Sequence, residues 1–95
     1  MKAVGVRVVW DEEKLTRLPR VSSYSTVARF PDFLGEWPQH AWSIVLEFDP
    51  EAAQARSFEA RARFLVADAP EHRLTPGRVF ELYEGAHKTA TVTVL

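Results

Sequence analysis

Phe58-Glu59-Ala60-Arg61-Ala62-Arg63-Phe64-Leu65-Val66 is the stretch that decides the fold. Phe58, Ala60, Ala62, Phe64 and Val66 fall on one face of an extended chain, while Glu59, Arg61, Arg63 and Leu65 fall on the other. Successive side chains of a strand leave opposite faces, so this period of two predicts a strand with one buried wall.

The same period recurs on both sides of it. Val4, Val6, Val8 and Trp10 alternate with Ala3, Gly5, Arg7 and Val9, predicting a first strand over residues 3–10. Charged residues at 11–14 and then Pro19 interrupt the pattern. Extended character resumes over 21–30, where Tyr24, Thr26, Val27 and Phe30 favour strand. Residues 40–48 place Trp42, Ile44, Leu46 and Phe48 on one face. Thr75-Pro76-Gly77-Arg78 suits a type II turn, since proline presets φ at the second position and glycine accepts positive φ at the third. Phe80 and Leu82 mark a fifth strand, Glu84-Gly85-Ala86-His87 a tight reversal, and residues 89–95 a terminal strand. Asp49-Pro50-Glu51 reads as a cap with proline in the first helical position. It predicts either one short helical turn near 50–56 or an irregular loop.

Short strands with regular turns predict a barrel or a sandwich. Six of them close more economically as a barrel, which removes exposed edges. The expectation is one all-β domain over residues 1–95, a small, closed, six-stranded and largely antiparallel barrel. The 95 residues suit a single domain, and 46% hydrophobic types supply a core for it.

Composition narrows the chemistry. With no cysteine, thiolate catalysis, disulfides and Cys-ligated metal sites are excluded, and a reducing compartment is the simple expectation. The N-terminus has charge within its short apolar run and does not read as a signal peptide. No apolar stretch approaches the roughly 18–20 residues of a membrane span. A soluble, cytoplasmic protein is expected. The formal charge of −1 shows none of the basic bias usual in nucleic-acid-binding domains.

The second half resembles the end of elongation factor Tu. The resemblance is carried by Phe64-Leu65, Leu74-Thr75-Pro76-Gly77, Phe80-Glu81-Leu82-Tyr83-Glu84-Gly85 and the alternating β-branched tail. The opening strand at 6–10, acidic residues 11–13, Arg17, Pro19 and the stretch 24–30 are similar to the start of that factor's third domain. The resemblance implies a six-stranded barrel that, in the intact factor, contacts aminoacyl-tRNA and a nucleotide-exchange factor. Departures are plain. The G-x-x-x-x-G-K-[ST] loop of a GTPase is absent, so no nucleotide cofactor is implied. Thr91 and Thr93 stand where the family carries glycines, and Lys14-Leu15-Thr16 replaces its paired glycines.

No constellation for catalysis emerges, and the chain is expected not to be an enzyme. His40, His72 and His87 lack ligand spacing, so no metal site is expected. Ser22, Ser23 and Ser25 lie outside any G-x-S-x-G elbow, and Glu81 and Glu84 flank a turn. The long connection at 31–39 holds Phe33 and Trp37, with Arg29 just before it. Loop aromatics of this kind form either a binding surface or a plug for the barrel end. Arg7, Lys14, Arg17, Arg20 and Arg29 make the first third locally basic, offset by Asp11, Glu12 and Glu13. Such charges either solvate the outer face or, where they converge, seat an RNA backbone. Phe33, Trp37, Arg29, Arg17 and Arg20 are the candidate binding set. They predict a non-catalytic binding module for a protein partner or a second copy of the chain, with RNA recognition as the alternative and no cofactor.

Overall fold

The computed structural model describes residues 3–32 and 41–95. Six strands, β1 (Val4–Trp10), β2 (Ser23–Arg29), β3 (Trp42–Glu47), β4 (Ser57–Phe64), β5 (Val79–Glu84) and β6 (His87–Val94), close into a barrel in the order β1-β4-β3-β2-β5-β6. Every neighbouring pair is antiparallel. Three short 3-10 turns, Glu12–Thr16, Ala52–Gln54 and Glu71–Arg73, lie between the strands.

Alternation fills the interior. Val6, Val8 and Trp10 of β1, Ile44 and Leu46 of β3, and Phe58, Ala60, Ala62 and Phe64 of β4 point inward. Phe80 and Leu82 of β5 and Ala90, Val92 and Val94 of β6 complete the core. Small and large residues share rungs, as where Ala90 sits between Trp10 and Leu82, and Leu82 beside Ala28. A six-stranded barrel has too narrow a bore for aromatic rings on every strand, so alanines make room for Trp10, Phe64 and Phe80.

The ring order sets β1 opposite β2 and β4 opposite β5, three positions apart in either direction. The connections 11–22 and 65–78 must therefore span the two mouths of the barrel. The first carries the turn Glu12–Thr16 over the end where β1 finishes. The second carries Glu71–Arg73 over the other end and buries Ala69, Arg73 and Leu74. The charged run 11–14, which reads as a solvated loop, is thus a lid.

The turn expected near 50–56 is the single 3-10 turn Ala52–Gln54. Asp49 Oδ1 accepts the Glu51 N–H at 3.0 Å in a local turn, but the cap position of the 3-10 turn falls on Glu51, with no side-chain capping bond. The expected cap at Asp49, with Pro50 in the first helical position, is thus displaced by two residues. Gly77 and Gly85 have φ of +89° and +62°, as the two predicted reversals require, and the Arg78 N–H donates to the Thr75 carbonyl at 3.0 Å. Val66 departs from expectation. β4 ends at Phe64, so Val66 has left the wall and is exposed.

Closure is uneven. β2 meets β5 through only three residue pairs, Val27–Tyr83, Ala28–Leu82 and Arg29–Glu81, fewer than any other junction. Beyond Val27 the ladder stops, because β5 reverses at Gly85. A register shift between β5 and β6 at Leu82/Tyr83 adds Thr89 as an extra residue on β6 and turns it inward to 2% exposure.

Candidate functional site

Where the β2–β5 ladder stops, side chains close the gap. Glu84, the last residue of β5, accepts through Oε2 from Lys14 Nζ at 2.6 Å and from the Tyr24 hydroxyl. Thr89 Oγ1 stands 2.9 Å from the same hydroxyl and 3.3 Å from the Leu82 carbonyl oxygen. Since the Tyr24 proton is committed to Glu84, the Thr89 proton is shared between those two acceptors. Thr26 Oγ1 donates to the Tyr83 carbonyl. Lys14 Nζ also lies 4.8 Å from the centre of the Tyr24 ring, and Trp10 meets that ring edge-on.

Each member answers another's charge. Hydrogen bonds from Lys14 and then Tyr24 hold the Glu84 carboxyl below the usual carboxylate range. Burial, and then the hydrogen bond to Glu84, pushes the Tyr24 phenol well above its ordinary value. Lys14 is only 7% exposed, whereas its place among Asp11, Glu12 and Glu13 reads as a solvated charge. What buries it is the crossover, a long-range feature that no local pattern carries. Lys14, Tyr24, Thr89 and Glu84 are joined to one another, so the cluster latches the lid to the seam.

The three arginines of the expected binding set do not come together. Phe33 and Trp37 lie outside the described residues. Arg29 ends β2 at one mouth of the barrel, while Arg17 and Arg20 precede β2 at the other. Six residues of strand at about 3.3 Å each put roughly 20 Å between Ser23 and Arg29. The convergence of Arg17, Arg20 and Arg29 on one surface is therefore corrected. Arg29 is also occupied, with its Nη1 2.7 Å from Glu81 Oε1, while Lys88 approaches Glu81 Oε2 at 3.4 Å. Arg17 and Arg20 are exposed.

The other candidates separate as well. Glu81 sits on the outer wall with Arg29 and Lys88, and Glu84 sits under the lid with Lys14, so the two carboxylates have different partners. Ser22, Ser23, Ser25, His72 and His87 are exposed, and His87 Nδ1 is 3.5 Å from Glu13 Oε2. His40 lies outside the described residues. Among the described residues no three histidines, aspartates or glutamates gather into a metal-sized group.

One surface was not singled out from the sequence. On the outer wall, Val79 of β5 pairs with Thr93 of β6, and Thr91 of β6 pairs with Val9 of β1. Leu95 follows on the same face, its N–H donating to the Gly5 carbonyl at 3.0 Å. Val9, Val79 and Leu95 are 38%, 42% and 57% exposed. Together with the two threonines they make an uncharged strip along β6, edged by Arg7 on one side and Glu81 on the other. The signal was present in the alternation of 89–95, whose outward members carry no charge.

No protein-family model, curated protein or solved structure matches the chain. No described helix is long and apolar enough to cross a membrane.

Proposed function

We propose that the chain is a non-catalytic binding module that holds a protein partner. The carrying observation is the strip Val9, Val79, Thr91, Thr93 and Leu95, which leaves three large apolar side chains in water on a rigid wall. Exposed apolar residues grouped on one face and rimmed by charge are the usual mark of a protein contact. The dispersal of Arg17, Arg20 and Arg29 removes the convergence that favoured RNA. An intracellular location belongs to this reading and is supported by the absence of cysteine. A relationship to the elongation factor Tu barrel is likewise proposed, supported by six antiparallel strands and the two glycine reversals.

The test is an affinity capture from native lysate with wild type and a Val79→Lys/Leu95→Lys variant, with and without ribonuclease. Both positions are exposed, so the fold is expected to change by no more than about 0.5 kcal/mol. The expected result is a protein retained by wild type, absent from the variant and indifferent to ribonuclease. Identical recovery by both proteins overturns the strip as the contact. Recovery of RNA, or of ribosomal proteins lost on ribonuclease treatment, supports RNA recognition instead.

A further inference from the structure

A closed barrel should present no strand edge, yet β2 keeps a short one. The Phe48 N–H donates to the Ser22 carbonyl at 2.9 Å, and this bond sets the parity of the strand. In an antiparallel pair, alternate residues exchange both main-chain hydrogen bonds with the same neighbour. Ser22, Tyr24, Thr26 and Ala28 are therefore bonded to β3, and the odd-numbered residues aim their N–H and C=O at β5. The β5 ladder ends at Val27–Tyr83. The main-chain groups of Ser23 and Ser25 thus point past the last rung of the seam.

Three features make that edge accessible and give it a preference. Ser23 and Ser25 are exposed and carry the smallest hydroxyl side chains, which leave an approaching backbone unobstructed. The latch of Tyr24, Glu84, Lys14 and Thr89 fills the inner side of the gap, so the barrel stays sealed while no strand among the described residues lies along its outer flank. Arg17 and Arg20 stand on the chain leading into β2, both exposed, and neither forms an ion pair among the described residues. The Arg17 charge acts on Glu84 through space, but that carboxylate is hydrogen-bonded to Lys14 and Tyr24 instead.

We propose that the open end of the β2–β5 seam is a strand-addition site for an extended, acidic segment of a protein partner. The proposal rests on the protein-binding reading but uses a surface separate from the β6 strip. An incoming strand takes up the donors and acceptors of Ser23 and Ser25, four main-chain bonds in all, and continues the ladder that β5 abandons. Its carboxylates meet Arg17 and Arg20, which supply the complementary charge. The edge from Ser23 to Ser25 is about 7 Å long at about 3.3 Å per residue, so it pairs with roughly three residues of the incoming segment.

The experiment uses the full chain, labelled with nitrogen-15, and a capped heptapeptide of alternating valine and glutamate as probe. In the free protein the Ser23 and Ser25 amides are expected to exchange quickly with solvent. On titration their signals shift and their exchange slows by roughly tenfold or more. Arg17→Glu/Arg20→Glu weakens binding by about tenfold. A probe N-methylated on alternate residues, which cannot donate to the edge, does not bind, and this control leaves the protein unaltered. Strong protection of Ser23 and Ser25 in the free protein overturns the proposal, because the edge would then be filled already. Absence of binding, or binding indifferent to N-methylation, overturns it too. Binding that persists in Val79→Lys/Leu95→Lys separates this site from the strip.

Discussion

Trp10→Ala is expected to be the most damaging single substitution in the barrel, lowering unfolding free energy by about 4 kcal/mol. Trp10 is fully buried at the end of β1, where its ring packs on Phe58 at 5.3 Å and on Tyr24 at 5.5 Å between centroids. Its Nε1 donates to the Ala53 carbonyl at 2.8 Å, tying the turn Ala52–Gln54 to the barrel mouth. Truncation opens a cavity bounded by strands that cannot collapse into it, and strands that carbonyl. A small domain is stabilised by only about 5–15 kcal/mol, so much of the margin goes. Urea denaturation measures it as a fall in midpoint at unchanged slope. Trp10→Phe keeps most of the ring volume and loses the hydrogen bond, so about 1–2 kcal/mol is expected there.

The latch yields the second large effect. Glu84→Ala leaves the Lys14 ammonium nearly buried without its counter-charge and is expected to cost about 2–3 kcal/mol. That is below the usual loss for a fully buried pair, because the Glu84 side chain is itself 32% exposed. Lys14→Met is expected to cost less than about 1 kcal/mol, since Glu84 keeps Tyr24 and reaches water. The asymmetry is the diagnostic, and a double-mutant cycle by urea denaturation measures it. Equal losses from the two single variants would mean that Lys14 is not held in the lid.

The same groups set the pH limits. Glu84 ionises more readily folded than unfolded, so its contribution is present above about pH 4.3, its unfolded value, and is lost as pH falls through the lower folded value. Tyr24 deprotonates less readily folded, so its contribution is present below about pH 10 and is lost as pH rises further. A plateau between those limits is expected. Tyr24→Phe should remove the alkaline contribution while keeping the ring that meets Trp10 and Lys14.

The fold was largely legible because β1 and β4 alternate cleanly and the two glycine turns announce themselves. Phe58, Ala60, Ala62 and Phe64 are inward as their spacing predicts, and so are Val6, Val8 and Trp10. Alternation says which face of a strand is buried but not which strand lies beside it. The order β1-β4-β3-β2-β5-β6, and the mouth-spanning crossovers that follow from it, are long-range facts. That is why Lys14 reads as solvated and proves buried, and why Arg17 and Arg29 read as one basic region and stand at opposite mouths. The site fared less well for the same reason. The edge at Ser23 and Ser25 depends on where β5 stops, and the β6 strip depends on β1 and β5 flanking it.

The most direct test of the account is the closure itself, because the latch, the edge and the strip all depend on it. Interstrand nuclear Overhauser effects would be measured across the β1–β6 and β2–β5 junctions in the full chain. The account predicts cross-peaks for Thr91 with Val9 and for Val27 with Tyr83, and none that continue the β2–β5 ladder to Ser25 and Gly85. Loss of the Val27–Tyr83 contacts while the other junctions remain would show an open sheet, and continuation to Ser25 would show a full ladder; either contradicts a barrel closed by a short seam.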